Sequence, residues 1–185
     1  MMPISTVFGG LLILFGLIGS LRGWAKEIIV AFSVILALFV EHVMVTFVLP
    51  LVGIQFSEWP NTSQFYTRSI LFIIIAVFGY ASPTLSSKLG SKVARERLQD
   101  ILLGFFLGVL NGFLIVGSIF SFLHAANYGI TAESPNGIWG INPPAPETSS
   151  AELMKSLPPQ LVADSSAMLY VAVAAAFVFV IVVFI

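Results

Sequence analysis

The feature that most restricts this chain is the length of its apolar blocks. Runs such as 28–49 and 101–123 carry at most two ionisable side chains each. A helix needs roughly twenty apolar residues to cross a hydrocarbon core about 30 Å thick. Composition points the same way: 58% of the residues are hydrophobic and only 9% are charged, with a mean hydropathy of +1.02. A water-soluble domain carries roughly a quarter charged residues to wet its surface. The expected fold is therefore all-α, a polytopic bundle of four to five transmembrane helices forming a single membrane domain over residues 1–185.

Several classes of function are excluded at this level. A net charge of −1 supplies no basic patch, so nucleic acid is not an expected partner. The chain has no cysteine, which removes disulfides, thiolate metal sites and a thiol nucleophile. No basic segment precedes the first apolar run, which reads as a span and not as a cleaved signal.

The expected spans are about 4–21, 28–49, 68–85, 101–123 and 167–185. The first is short and rich in glycine (Gly9, Gly10, Gly16, Gly19) and leads into a polar turn over 22–27. The second is expected to stop at Pro50, which has no N–H to continue a helix. A loop with Trp59, Pro60 and Tyr66 follows, aromatics suited to the headgroup layer. Pro83 kinks or ends the third span. The charged stretch 86–100 repeats Leu85, Leu89 and Val93 every four residues, predicting a short cytoplasmic amphipathic helix on the membrane surface. The loop 124–166 is proline-rich, and Ser149 with Glu152 has the spacing of a capping box, predicting a short helix over 149–156. The last span is apolar apart from Tyr170 and has no charged tail, leaving two expectations for it: crossing the membrane or lying along it.

Basic residues set the orientation. Arg22, Lys26, Lys88, Lys92, Arg95 and Arg97 fall in the turn after the first span and the loop after the third; Arg68 and Lys155 do not. Positive loops stay in the cytoplasm. The N-terminus is thus expected outside, both basic loops inside and the proline-rich loop outside.

The fourth span carries Gly104, Gly108 and Gly112. Four-residue spacing puts them on one helix face, where a second backbone can approach closely. Asn111 lies beside that face and can hydrogen-bond across it. The seam is expected within the subunit or between subunits. The charges Arg22, Lys26, Glu27, Arg97 and Asp100 share one membrane edge, which suggests an ion pair between the basic loops, such as Arg22 with Asp100.

Two segments resemble the colicin V production protein family. Gly19-Ser20-Leu21-Arg22-Gly23-Trp24-Ala25-Lys26-Glu27 is similar to its turn with glycine, arginine-glycine, an aromatic, a basic residue and glutamate. The stretch from Asp100 through Gly104 and Gly108 to Gly112 is similar to its aspartate-led glycine segment, and Leu157-Pro158-Pro159 with Ser165 loosely matches a later one. Ser5 stands where the family usually has an acid, and Ile101 and Asn111 where it has basic residues. The resemblance implies a bacterial inner-membrane protein linked to colicin V export and envelope maintenance, without chemical activity established for the domain.

Little else suggests chemistry. Glu41 and His42 lie within the second span, and ionisable residues there point to function; they are candidates for an ion path, with Glu41 as carrier and His42 as relay. His42 and His124 are weak candidates for a haem or pigment ligand. No cofactor is expected apart from lipid. No G-x-S-x-G, phosphate loop or H-E-x-x-H is present, so no catalytic residue is expected. Three functions follow: a non-enzymatic scaffold or accessory factor in secretion or envelope maintenance, a small transporter or channel, or an accessory subunit of a respiratory or photosynthetic complex. The expected partners are membrane lipid and other membrane proteins or further copies of the chain.

Overall fold

The structure, a computed structural model, describes residues 3–81, 97–132, 134–163 and 166–184. Among these residues all regular structure is helical. Four of the described helices are long and apolar enough to cross a membrane: α1 (Ile4–Arg22), α2 (Trp24–Leu51), α3 (Asn61–Ala81) and α4 (Arg97–Ala125). Three more follow: α5 (Ser149–Lys155), α6 (Pro158–Ala163) and α7 (Ser166–Phe184). Pro83 and the amphipathic helix expected over 86–100 lie outside the described residues as far as residue 96; Arg97 already opens α4.

The polar turn expected over six residues is a single residue. Gly23 adopts a φ of 83°, a conformation that glycine reaches without a Cβ penalty, and α2 begins at once with Trp24. The expected stop at Pro50 also moves. The first part of α2, Trp24–Val43, runs into a π-helical turn, Met44–Val48, and a final turn, Leu49–Leu51. Pro50 cannot donate to the carbonyl four residues back. The widened turn accommodates it, with the Leu49 N–H reaching the Met44 carbonyl five residues back. α3 starts at Asn61, not near Arg68, because its first two turns are polar helix at the edge of the apolar block.

Neighbours in sequence are not the main neighbours in space. α1 packs chiefly on α4, antiparallel to it, and α2 lies between α3 and α4 with α7 along its side. The larger core joins Val30, Val34 and Ala37 of α2 to Phe65 and Phe72 of α3, Phe122 of α4 and Leu169 and Val173 of α7. A second core sets Phe8 of α1 and Val116 of α4 against Met154 and Leu157 of the C-terminal segment. After α4 the chain turns through left-handed Asn127, Tyr128 and Gly129, a conformation that costs a residue like tyrosine on the order of 1 kcal/mol. The return is burial: Tyr128 is 1% exposed and sits in the larger core.

Outside these cores the spanning helices present bare apolar faces, among them Ile13, Leu14 and Leu17 of α1, Ile70, Ile74 and Phe78 of α3 and Phe106 of α4. Surfaces of this kind are solvated by lipid, and helices satisfy their backbone polar groups internally, as a span must. The molecule is a multi-pass transmembrane helix bundle.

Candidate functional site

Polar groups concentrate where α1 turns into α2. The turn at Gly23 brings Arg22, the last residue of α1, beside Glu27 in the first turn of α2, where the helix dipole favours a carboxylate. Arg22 Nη1 lies 2.8 Å from Glu27 Oε1, and Glu27 is only 1% exposed. The guanidinium stacks over the Tyr80 ring of α3, 4.3 Å from its centroid, a cation–π contact that strengthens once desolvated. From mid-α4, Asn111 Nδ2 donates both to the Glu27 backbone carbonyl and to Glu27 Oε2, each at 2.8 Å. One carboxylate thus binds three neighbouring helices into a knot. Inside it Asn111 Oδ1 is buried with no hydrogen-bond partner among the described residues.

Asp100 does a separate job. Gly23 has no side chain to cap α2, and Asp100 Oδ1 accepts the Trp24 N–H from across the bundle at 3.1 Å. The ion pair expected between Arg22 and Asp100 is therefore corrected: Arg22 pairs with Glu27, and Asp100 serves as the cap of another helix. The Gly23 turn explains this, since it leaves Glu27 closer to Arg22 and the Trp24 N–H open. Lys26 and Arg97 are exposed at the same end.

The glycine face of α4 lies against α1. A methyl placed on Gly108 would stand 3.0 Å from the Gly19 Cα and 3.1 Å from the Gly16 Cα, and nearer still to the Phe15 carbonyl; one on Gly112 would meet Phe15 Cβ at 2.7 Å. Gly104 faces Gly19 and Gly23. The seam lies within the subunit, and its other half is Gly16 and Gly19. Asn111, beside that face, reaches α2, not α1.

At the far end of α2, Glu41 is buried and accepts from Arg68 Nε at 2.5 Å. Arg68 lies 4.8 Å over the Phe122 ring. His42 does not pair with Glu41. Its ring packs against Phe47 and Tyr170, so the expected relay is not assembled. His124 is exposed at the end of α4, its Nδ1 3.2 Å from the Tyr128 hydroxyl. Burial pushes the Tyr128 phenol above its usual range. Glu27 and Glu41 share one face of α2, roughly 21 Å of helix rise apart. Between them Val30, Val34, Ala37 and Phe72 are each 0% exposed.

Sequence reasoning passed over Arg68 and Tyr80. Arg68 was legible as a charge inside an apolar neighbourhood; nothing local marks Tyr80. Ser5 and Ser150 were also missed as partners. The Ser5 N–H donates to Ser150 Oγ at 3.1 Å, and Ser149 Oγ lies 3.3 Å from Ser5 Oγ. α5 itself is capped by Thr148, whose hydroxyl accepts from the Ala151 N–H, one residue before the Ser149 expected for that role. No group of three or more histidine, aspartate or glutamate side chains suited to a metal is found among the described residues.

Comparison with curated proteins and with solved structures gave no match. The family described as colicin V production protein matches over residues 4–135. That range takes in α1 to α4 and contains the whole knot, the Asp100 cap, both halves of the glycine seam and the Glu41–Arg68 pair. It covers well over half of the chain, and with four membrane-crossing helices in the matched region, this multi-pass membrane protein belongs to the colicin V production family.

Proposed function

We propose that the chain is a non-enzymatic scaffold or accessory factor of a bacterial inner membrane, serving secretion or envelope maintenance. In this reading the N-terminus is outside and the Gly23 turn is cytoplasmic. The observation that carries it is how α2 uses its acids. Glu27 and Glu41 are both held by arginines of neighbouring helices, and the face between them is apolar and fully buried. Breaking a buried pair costs several kcal/mol, so these groups favour fixed helix positions over passage of an ion. Family membership supports the export or envelope setting.

The direct test is purification from native membranes with identification of whatever accompanies the protein; a recurrent secretion or envelope component is expected. Proteoliposomes supply the competing arm. Ion flux through the wild type that is lost in Glu41→Gln would replace the scaffold with a transporter. Orientation is tested with cysteines in this cysteine-free chain. Lys26→Cys should react only from the cytoplasmic side and Glu58→Cys only from outside.

A further inference from the structure

A cleft of about 720 Å³ lies where the first turns of α1 and the last turns of α4 meet the C-terminal loop. Its walls include Val7, Phe120, Leu123 and Met154, and its roof includes Ile141 and Pro143. Thr148, Ser149 and Ser150 form a hydroxyl rim along one side. The volume falls within the roughly 300–1,000 Å³ of sites that enclose small ligands. Its polarity is that of a site for an amphiphile, apolar within and hydrogen-bonding at one edge.

We infer that this cleft takes the acyl chain of a membrane phospholipid. Three observations identify that occupant. Its lining includes the ends of α1 and α4, helices long and apolar enough to span a bilayer, so the cleft adjoins the apolar surface of two spans. Val7, part of its wall, is 42% exposed and lies on the α1 face that continues through Leu14, Leu17 and Leu21. A chain lying along that lipid-facing stripe has an unbroken apolar path inward. The polar rim, whose hydroxyls already bond Ser5, Ala145 and Ala151, marks where the apolar lining ends and the tail would leave it.

The roof makes the inference testable, because loop residues above the spans meet acyl chains only if a chain enters. The detergent-purified full chain would be reconstituted in phosphatidylethanolamine–phosphatidylglycerol vesicles doped with a phospholipid bearing a photoreactive diazirine in its acyl chain. Label sites would then be mapped by mass spectrometry. Labelling is expected at Ile141, Pro143 and Met154 as well as at Leu14 and Leu17, and not at Gln55 or Glu58 in the other loop at this end of the bundle. Because sites of this size bury roughly 70–90% of their ligand, Val7→Trp should lower roof labelling at least about threefold and leave Leu17 labelling unchanged. Ile141→Trp, placed in the loop and outside the helix packing, should do the same. Roof labelling no stronger than at Gln55 and Glu58, or unaffected by both tryptophans, would overturn the inference. So would a co-purifying polypeptide that cross-links at the roof and excludes the lipid label.

Discussion

The two ends of the bundle are held in different ways. At the Gly23 end one acid, Glu27, gathers Arg22 of α1, Asn111 of α4 and, through Arg22, the Tyr80 ring of α3, so all four spanning helices meet at a single point. At the opposite end the work is divided. Glu41 and Arg68 join α2 to α3 above Phe122 of α4, while α1 is secured separately by serines of α5. The first arrangement is concentrated, and removal of one side chain strands several others. The second is distributed over separate contacts, and the difference lies in the number of partners, since Arg22 and Arg68 are equally exposed. In a bilayer, where no hydrophobic force draws helices together, such polar joints and close backbone contacts have to fix the arrangement.

The sharpest way to break this contrast is to remove each acid. Glu27→Ala should destabilise by about 3–5 kcal/mol, since it strands both the Arg22 guanidinium and the buried Asn111 amide. Glu41→Ala should cost about half as much, because it strands Arg68 and no second buried donor. Equal losses in a detergent denaturation series would dissolve the distinction. Gly108→Leu comes next, at about 3 kcal/mol, because the contact it invades is backbone. Gly9→Leu, where an added Cβ meets nothing within 4 Å, should change stability by less than about 0.5 kcal/mol. Similar effects at the two glycines would mean that the seam does not govern assembly.

Asn111→Ala should cost about 1–2 kcal/mol, a little above the usual interhelical hydrogen bond because two bonds to one acid are lost. The smallest effect belongs to the distributed end. Ser150→Ala should cost about 0.5–1 kcal/mol, as loss of a helix cap does. Hydrogen exchange would show it as faster exchange in the first turn of α1, with the Gly23 end unchanged. Faster exchange at both ends would show that the two joints are coupled.

Much of this architecture was legible in the sequence. Apolar block length revealed the spanning helices because the bilayer imposes one physical requirement on each. Boundaries were less legible because polar residues at helix ends remain helical: Asn61–Thr67 and Arg97–Asp100 extend α3 and α4 beyond their apolar blocks. The α4 glycines announced a seam through their spacing, but their partner could not be read, since Gly16 and Gly19 are three residues apart and lie in a different helix. The Arg22–Glu27 pairing was hidden for a related reason. It depends on a one-residue turn that sets the end of α1 against the first turn of α2. Nothing in the sequence marks the partner of Asn111, and only the fold reveals that its amide reaches the acid of α2.

The pairing of the first spanning helix with the fourth has a consequence for biogenesis. The ribosome finishes Gly19 about ninety residues before Gly108, so at roughly 5–20 residues per second the first segment waits on the order of 5–20 s for its mate. Throughout that interval its small-residue flank is unoccupied in the membrane and open to any other inserted segment with a similar flank. Fidelity of assembly therefore depends on keeping that flank from strangers until the fourth segment arrives, a kinetic demand that the finished bundle no longer displays.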